Sequence, residues 1–296
     1  MADARAPAPA PRPGVISAGE ASLTGTAPGK LMAGKRGLIM GVANDHSIAW
    51  GIARAVASQG AELAFTYQSD AFARRVQPLA EAVGSNLLID CDVSEGASLD
   101  RAFGAIGEAW DRLDFVVHAI AYSDKEELKG RYVDTSQANF LRTMNISCYS
   151  FTAVAQRAAR LMTGGGAMVT LTYHGAQQVM PNYNVMGVAK AALEASVRYM
   201  ASDLGPDGIR VNAISAGPMR TLAGSAVGSA RQVYNYNREV SPLRRNVGLD
   251  DVGGAGLYLL SDMSAAVTGE THYVDCGFHT VGMPMPHNGN GEAAPE

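Results

Sequence analysis

From residue 37 onward, short apolar runs alternate with longer segments whose apolar residues recur every three or four positions. The runs Gly37–Val42, Leu63–Tyr67, Asn86–Ile89, Phe115–Ile120, Ala167–Leu171 and Val211–Ile214 read as strands, with a further short one near His272–Val274. Helical spacing covers Ser47–Gln59, Ala71–Val83, Leu99–Trp110, Tyr183–Leu204 and Leu249–Leu260, with one long helix expected within Gln137–Met162. A polar loop region is expected after Ile214. Short apolar strands separated by helices predict a parallel sheet covered on both faces. The expected fold class is α/β, a single doubly wound Rossmann-type domain with a parallel sheet of about seven strands, whose ligands sit beyond the carboxyl ends of the strands.

The ends of the chain differ from this pattern. Residues 1–29 are rich in Ala, Pro and Gly and almost free of large apolar side chains, so a disordered tail is expected there. A similar, shorter tail is expected over 284–296, which leaves 30–283 as the folded domain. The apolar fraction is 47% and the charged fraction 18%, which fits a large buried core. A net charge of −4 gives no electrostatic footprint for a nucleic-acid backbone. No apolar run approaches the roughly 18 residues of a membrane helix. Cys91, Cys148 and Cys276 are far apart, without a C-x-x-C pair, so no metal site is indicated. An odd number of thiols points to a reducing cytoplasm.

Chemistry is suggested first at the strand ends. After the first strand, Gly41 allows a tight turn and Ser47 is placed to cap a helix whose free amides and dipole would attract a pyrophosphate. The spacing is not G-x-G-x-x-G, and Gly51 lies about one turn inside the helix. The second strand ends at Gln68, where an acidic residue often binds a ribose hydroxyl. The third runs into Asp92 and Val93, suited to the amino group and face of an adenine. The fourth ends in His118-Ala119-Ile120-Ala121, where small residues would admit a ribose. Four such strand ends together point to a dinucleotide. Gln68, with Arg74 and Arg75 set back in the next helix, favours NADH over its 2′-phosphorylated form.

The other informative segment runs from Thr172 through Tyr183 to Lys190. Tyr183 and Lys190 are seven positions apart, nearly two helical turns, so they share a helix face. A neighbouring ammonium favours phenolate over phenol, and such a pair could steady an oxyanion or deliver a proton.

The stretches GVANDHSIAWGIA, AELAFTYQ, CDV, HAIAYSD, TLTYHGAQQVMPNYNVMGVAKAALEASVRYMA and GIRVNAISAGPMRTLA resemble the enoyl-acyl carrier protein reductases of bacterial type II fatty acid synthesis, a divergent branch of the short-chain dehydrogenase/reductases. The resemblance runs from about Met32 to Met283. Its Y-x6-K spacing is specific, since most of that superfamily has Y-x3-K and would require a Tyr where Met186 stands. It implies NADH-dependent reduction of trans-2-enoyl-acyl carrier protein to the saturated acyl form. Tyr183 would stabilise the enolate on the thioester oxygen, Lys190 would hold the nicotinamide ribose, and Tyr173 would support them. Ser123 and Tyr183 would contact substrate. Gly41, Ser47, Ile48, Gln68, Asp92, Val93, Ile120, Lys190 and the run Met219, Arg220, Thr221, Leu222, Ala223 would contact the cofactor. Acyl carrier protein as partner, a homotetramer and a cytoplasmic location are also implied.

Two departures accompany the resemblance. The N-terminal tail has no counterpart in the family's core pattern. The expected substrate-covering segment, Gly224 to Arg238, carries only Arg231 and Arg238 as basic residues. Docking of the acidic carrier through Arg231 is therefore an expectation to be tested. Two other readings remain open on the residues alone: a reductase of small carbonyl or unrelated enoyl compounds, and a catalytically silent nucleotide-sensing module.

Overall fold

The structure, a computed structural model, describes residues 29–221 and 229–283. The expected tails lie outside the described residues, apart from Gly29, whose amide donates to the Ser58 carbonyl. Leu222, Ala223 and the start of the expected substrate-covering segment also lie outside them.

Seven strands form one parallel sheet: β1 (Arg36–Met40), β2 (Glu62–Tyr67), β3 (Leu87–Asp90), β4 (Phe115–His118), β5 (Gly166–Thr172), β6 (Ile209–Ala216) and β7 (Thr271–Val274). Their spatial order is β3-β2-β1-β4-β5-β6-β7. The chain thus winds one way through β3 and the other way from β4, and the switch point falls between β1 and β4. Registers such as Met40 with His118 and Tyr67 with Asp90 align the carboxyl ends of neighbouring strands along one rim.

The strands alternate their burial between two apolar layers, as a pleat requires. Leu38, Met40 and Val116 face a core shared with α3 (Gly96–Ala109), α5 (Ser150–Leu161) and α6 (Asn184–Leu204). Ile39, Phe115 and Val117 face the opposite core with α1 (Ile48–Ser58), α2 (Asp70–Ala82) and α8 (Leu249–Leu260). The doubly wound arrangement is the expected one.

Three local features differ from the pattern reading. The helix expected within Gln137–Met162 is α4 (Gln137–Met144) and α5 joined through a π-turn over Asn145–Tyr149. Helix α7 (Ala230–Val240) occupies part of what reads as polar loop, because only Asn237 and Val240 of its side chains are buried. Gly51 serves packing: a Cβ there would lie 2.7 Å from the Leu249 carbonyl of α8.

Candidate active site

The rim at the switch point is built by close backbone approach. Gly41 ends β1 with φ +98°, and a Cβ there would stand 2.1 Å from the Ala119 carbonyl beyond β4. Any side chain would push the two strand ends apart. Ser47 takes the N-cap position of α1, yet its hydroxyl does not cap the helix. It accepts from the Ala43 and Asn44 amides, at 2.9 and 3.1 Å, and so closes the preceding loop. The physical reason is the longer loop, which turns back across the hydroxyl. One consequence is that the Ile48 and Ala49 amides, at the positive end of the α1 dipole, have no acceptor among the described residues.

Further along the rim, the Gln68 amide donates to the Asp92 carboxylate at 2.9 Å. Burial opposes ionisation of Asp92, but bonds from Ser94 and Gln68 outweigh it and hold the carboxyl below its ordinary range. Asp92 also accepts from the Ser94 amide and hydroxyl. Val93 is buried in the core and Ile120 packs against its edge. The rim is therefore continuous from Gly41 through Gln68 and Asp92, with Ile120 next to the switch point.

The second half of the site gathers at the end of β5. Lys190 is buried on α6 and donates to the Leu171 carbonyl at 2.7 Å. An ammonium has three protons, and among the described residues no second acceptor engages them. Burial lowers its pKa to about 8, while Glu194, one turn on, pulls the other way. Glu194 is itself buried, accepting from the Thr172 hydroxyl at 2.8 Å. Tyr183 caps α6 just before Asn184 and lays its ring against Tyr173, with centroids 5.1 Å apart and planes at 73°. Tyr173, Tyr183 and Lys190 are thus all tied to the last residues of one strand.

One expectation about this group is corrected. The ammonium was expected to favour phenolate at Tyr183; instead burial, with Tyr173 and Glu194 acting in the same direction, pushes that phenol above its ordinary value. Lys190 turns its charge to the Leu171 carbonyl, so it does not offset this. Burial also raises Tyr173, to about 12. Both tyrosines are neutral donors near neutral pH, and neither hydroxyl has a partner among the described residues.

The remaining expected residues are placed as follows. The Ser123 hydroxyl accepts from Thr143 at 2.9 Å and Asn139 at 3.2 Å, which anchors its loop to α4. Met219 packs half-buried against the core shared with α1, α2 and α8, and the Thr221 amide donates to the Met219 carbonyl. Arg220, expected near phosphates, lies over the Tyr234 ring of α7 at 4.8 Å. Sequence reasoning placed a covering segment here but missed that its second half is the helix α7. With Asn182 it borders a groove of about 700 Å³ lined by Ser229, Arg231, Gln232, Asn235, Tyr236 and Glu239.

These residues fit a dinucleotide. Gly41 lets the backbone approach closely at the switch point, and the open amides of α1 and the spare protons of buried Lys190 are donors without acceptors among the described residues. Among the described residues no group of His, Cys, Asp and Glu could hold a metal ion.

Comparisons with known proteins agree on one family. The family model described as enoyl-(acyl carrier protein) reductase matches residues 41–279. The chain is 64% identical to "Enoyl-[acyl-carrier-protein] reductase [NADH] 2" of Rhizobium meliloti over 86% of this chain and 95% of that one. Against the Escherichia coli protein named "Enoyl-[acyl-carrier-protein] reductase [NADH] FabI" identity is 47%, over 85% and 97%. A crystal structure of the Anaplasma phagocytophilum reductase in complex with NAD superimposes with a TM-score of 0.84 at 61% identity, covering 87% of this chain and 98% of that one. The chain belongs to the enoyl-(acyl carrier protein) reductase family.

Proposed function

We infer that this chain is an NADH-dependent enoyl-acyl carrier protein reductase, converting trans-2-enoyl-acyl carrier protein to the acyl form in fatty acid elongation. The single observation that carries the mechanism is the convergence of Tyr173, Tyr183 and Lys190 on the end of β5, beside the donor-lined crevice. Relatives named as NADH-dependent at 47–64% identity support the cofactor and substrate.

Gly41, the α1 amides, Gln68, Asp92 and Lys190 would hold the dinucleotide. When bound, its reduced nicotinamide supplies a hydride to the substrate's β-carbon. Charge then develops on the thioester oxygen, and a hydrogen bond that strengthens as charge grows lowers the barrier. The Tyr183 phenol is suited to that role because burial keeps its proton in place. Lys190 adds a fixed positive charge in a water-poor site, where Coulombic effects are less screened. Tyr173 holds the Tyr183 ring edge-on.

The polar groove at α7 suits the carrier rather than the acyl chain, with Arg231 facing it. Replacing Arg231 by Glu should raise KM for carrier-bound substrate while sparing acyl-CoA analogues. A homotetramer is proposed on the family resemblance, and Leu141, Tyr149 and Tyr199 stand exposed for partners to cover. Sedimentation measures it. A cytoplasmic location fits three free cysteines, and no helix of the described residues is long and apolar enough to cross a membrane. The experiment that tests the function is NADH oxidation with an enoyl thioester, run beside Tyr183→Phe. Turnover by the parent and loss in the variant support the assignment; equal rates refute the mechanism.

A further inference from the structure

At the end of β4, the His118 imidazole is fully buried and bonded on both sides. Its Nε2 lies 2.8 Å from the Ser150 hydroxyl and its Nδ1 3.1 Å from the Thr170 hydroxyl. The Ser150 hydroxyl is also 2.7 Å from the Ile146 carbonyl, and the Thr170 hydroxyl 3.1 Å from the His118 carbonyl. Four contacts therefore compete for three protons, because a neutral ring carries one and each hydroxyl one.

The two tautomers break the tie differently. With the proton on Nδ1, the Ser150 hydroxyl has one proton for both Nε2 and the Ile146 carbonyl, so one of the two shortest contacts is lost. With the proton on Nε2, Ser150 accepts from the ring and donates to Ile146. The Thr170 hydroxyl then has one proton for two contacts of 3.1 Å, the ring Nδ1 and the His118 carbonyl, and only one of these longer contacts is given up. The two shortest contacts survive together in this second arrangement alone. Burial and the nearby charge of Lys190 keep the ring neutral, with a pKa of about 3.

Ile146 needs that donor for a structural reason. In the π-turn, the Ser150 amide bonds to the Asn145 carbonyl, five residues back, and passes over Ile146. The same turn projects Ser147, whose hydroxyl accepts from the Tyr122 amide and donates to the Tyr122 carbonyl, both at 2.9 Å. Tyr122 stands between Ile120 and Ser123, in the loop that walls the crevice.

We propose that His118 is a positioning residue, an Nε2-protonated imidazole that holds the π-turn through Ser150 and Ile146 and thereby sets the 120–124 loop against cofactor and substrate. The proposal rests on the preceding functional reading only in taking that loop as a wall of the site.

Two variants separate the ring's two sides. His118→Gln places an amide donor where Nε2 stood, and His118→Asn places one where Nδ1 stood. Expected are near-parental KM and NADH affinity in His118→Gln, and about a tenfold loss of both in His118→Asn and Ser150→Ala, a size typical of small displacements at a site. The melting temperatures of the Gln and Asn variants should fall alike. NADH affinity is read by titration, so it stands even if the parent fails to reduce enoyl thioesters. Nitrogen-15 histidine NMR of the unaltered protein should show the proton on Nε2. A proton on Nδ1, or His118→Asn performing as well as His118→Gln, overturns the proposal. If neither variant folds, the tautomer decides alone.

Discussion

The rings of Tyr173 and Tyr183 meet edge to face, and the second of them caps the helix that carries Lys190. This contact gives the two phenols different work although both are neutral donors. Tyr183→Phe should lower kcat by about a hundredfold, the usual cost of one lost donor to a developing oxyanion. Tyr173→Phe keeps the ring contact and should cost far less. Steady-state rates on an enoyl thioester, with melting curves to show intact folds, check the pair. Equal losses would mean that the hydroxyls share one role.

Lys190 carries the clearest pH signature. Its folded pKa is depressed by burial to about 8, below the ordinary value of 10.5 for a free side chain. The unfolded chain then binds more protons than the folded one between these limits, so stability should rise with pH across that window. Below about 8 the lysine is charged in both states and the cost of burying it is fully present. NADH affinity should run the other way, weakening as the ammonium is lost above about 8 in the free enzyme. Lys190→Met should bind weakly at every pH and lose the inflection. An inflection that survives in Lys190→Met would assign it to another group.

Gly175 tests how tightly the Tyr183 ring is held. A Cβ at Gly175 would stand 2.4 Å from the Tyr183 ring, well inside contact distance. Gly175→Ala should therefore displace the phenol and lower kcat by about tenfold or more, since a shift near 1 Å can cost that much. Melting temperature should change little, because the ring packs against the small cluster of Leu128, Val185 and Met186 rather than in the two main cores. A variant with parental kcat would show that the ring can move without consequence.

Much of this architecture is legible in the chain because a parallel sheet buried on both faces leaves short, dense apolar runs. The inner strands announce themselves this way, whereas the edge strand β7, THYV, is half-buried throughout and much weaker in the chain; the pairing of Tyr183 with Lys190 follows from helical geometry. What escaped has physical causes. Helix α7 buries only Asn237 and Val240, and ARQVYNYNREV is so polar on average that its composition reads as loop although its apolar positions are helically spaced. The π-turn adds one residue to a helix without disturbing its composition. The hydroxyl of Ser47 serves its own loop rather than the helix it precedes, a choice set by loop path and not by residue type. The rise in the Tyr183 pKa depends on burial, which spacing alone does not reveal.

Cofactor choice turns on the pair at the second and third strand ends. Asp92 is ionised near neutral pH, since its bonds to Ser94 and Gln68 favour the charged form. Its carboxylate accepts from Gln68, beside the place where a ribose 2′ position is expected. A 2′-phosphate there would meet a like charge, and of the two arginines set back in α2, Arg74 donates to the Asp70 carbonyl and Arg75 lies over the Phe72 ring. NADH should therefore be preferred in kcat/KM. Asp92→Asn removes the repulsion while keeping the shape, so it should raise the rate with NADPH relative to NADH by about tenfold, as expected for roughly 1.4 kcal/mol of relieved repulsion. Side-by-side assays with both nucleotides measure the ratio. An unchanged ratio in Asp92→Asn would move the source of selectivity from this carboxylate to Gln68.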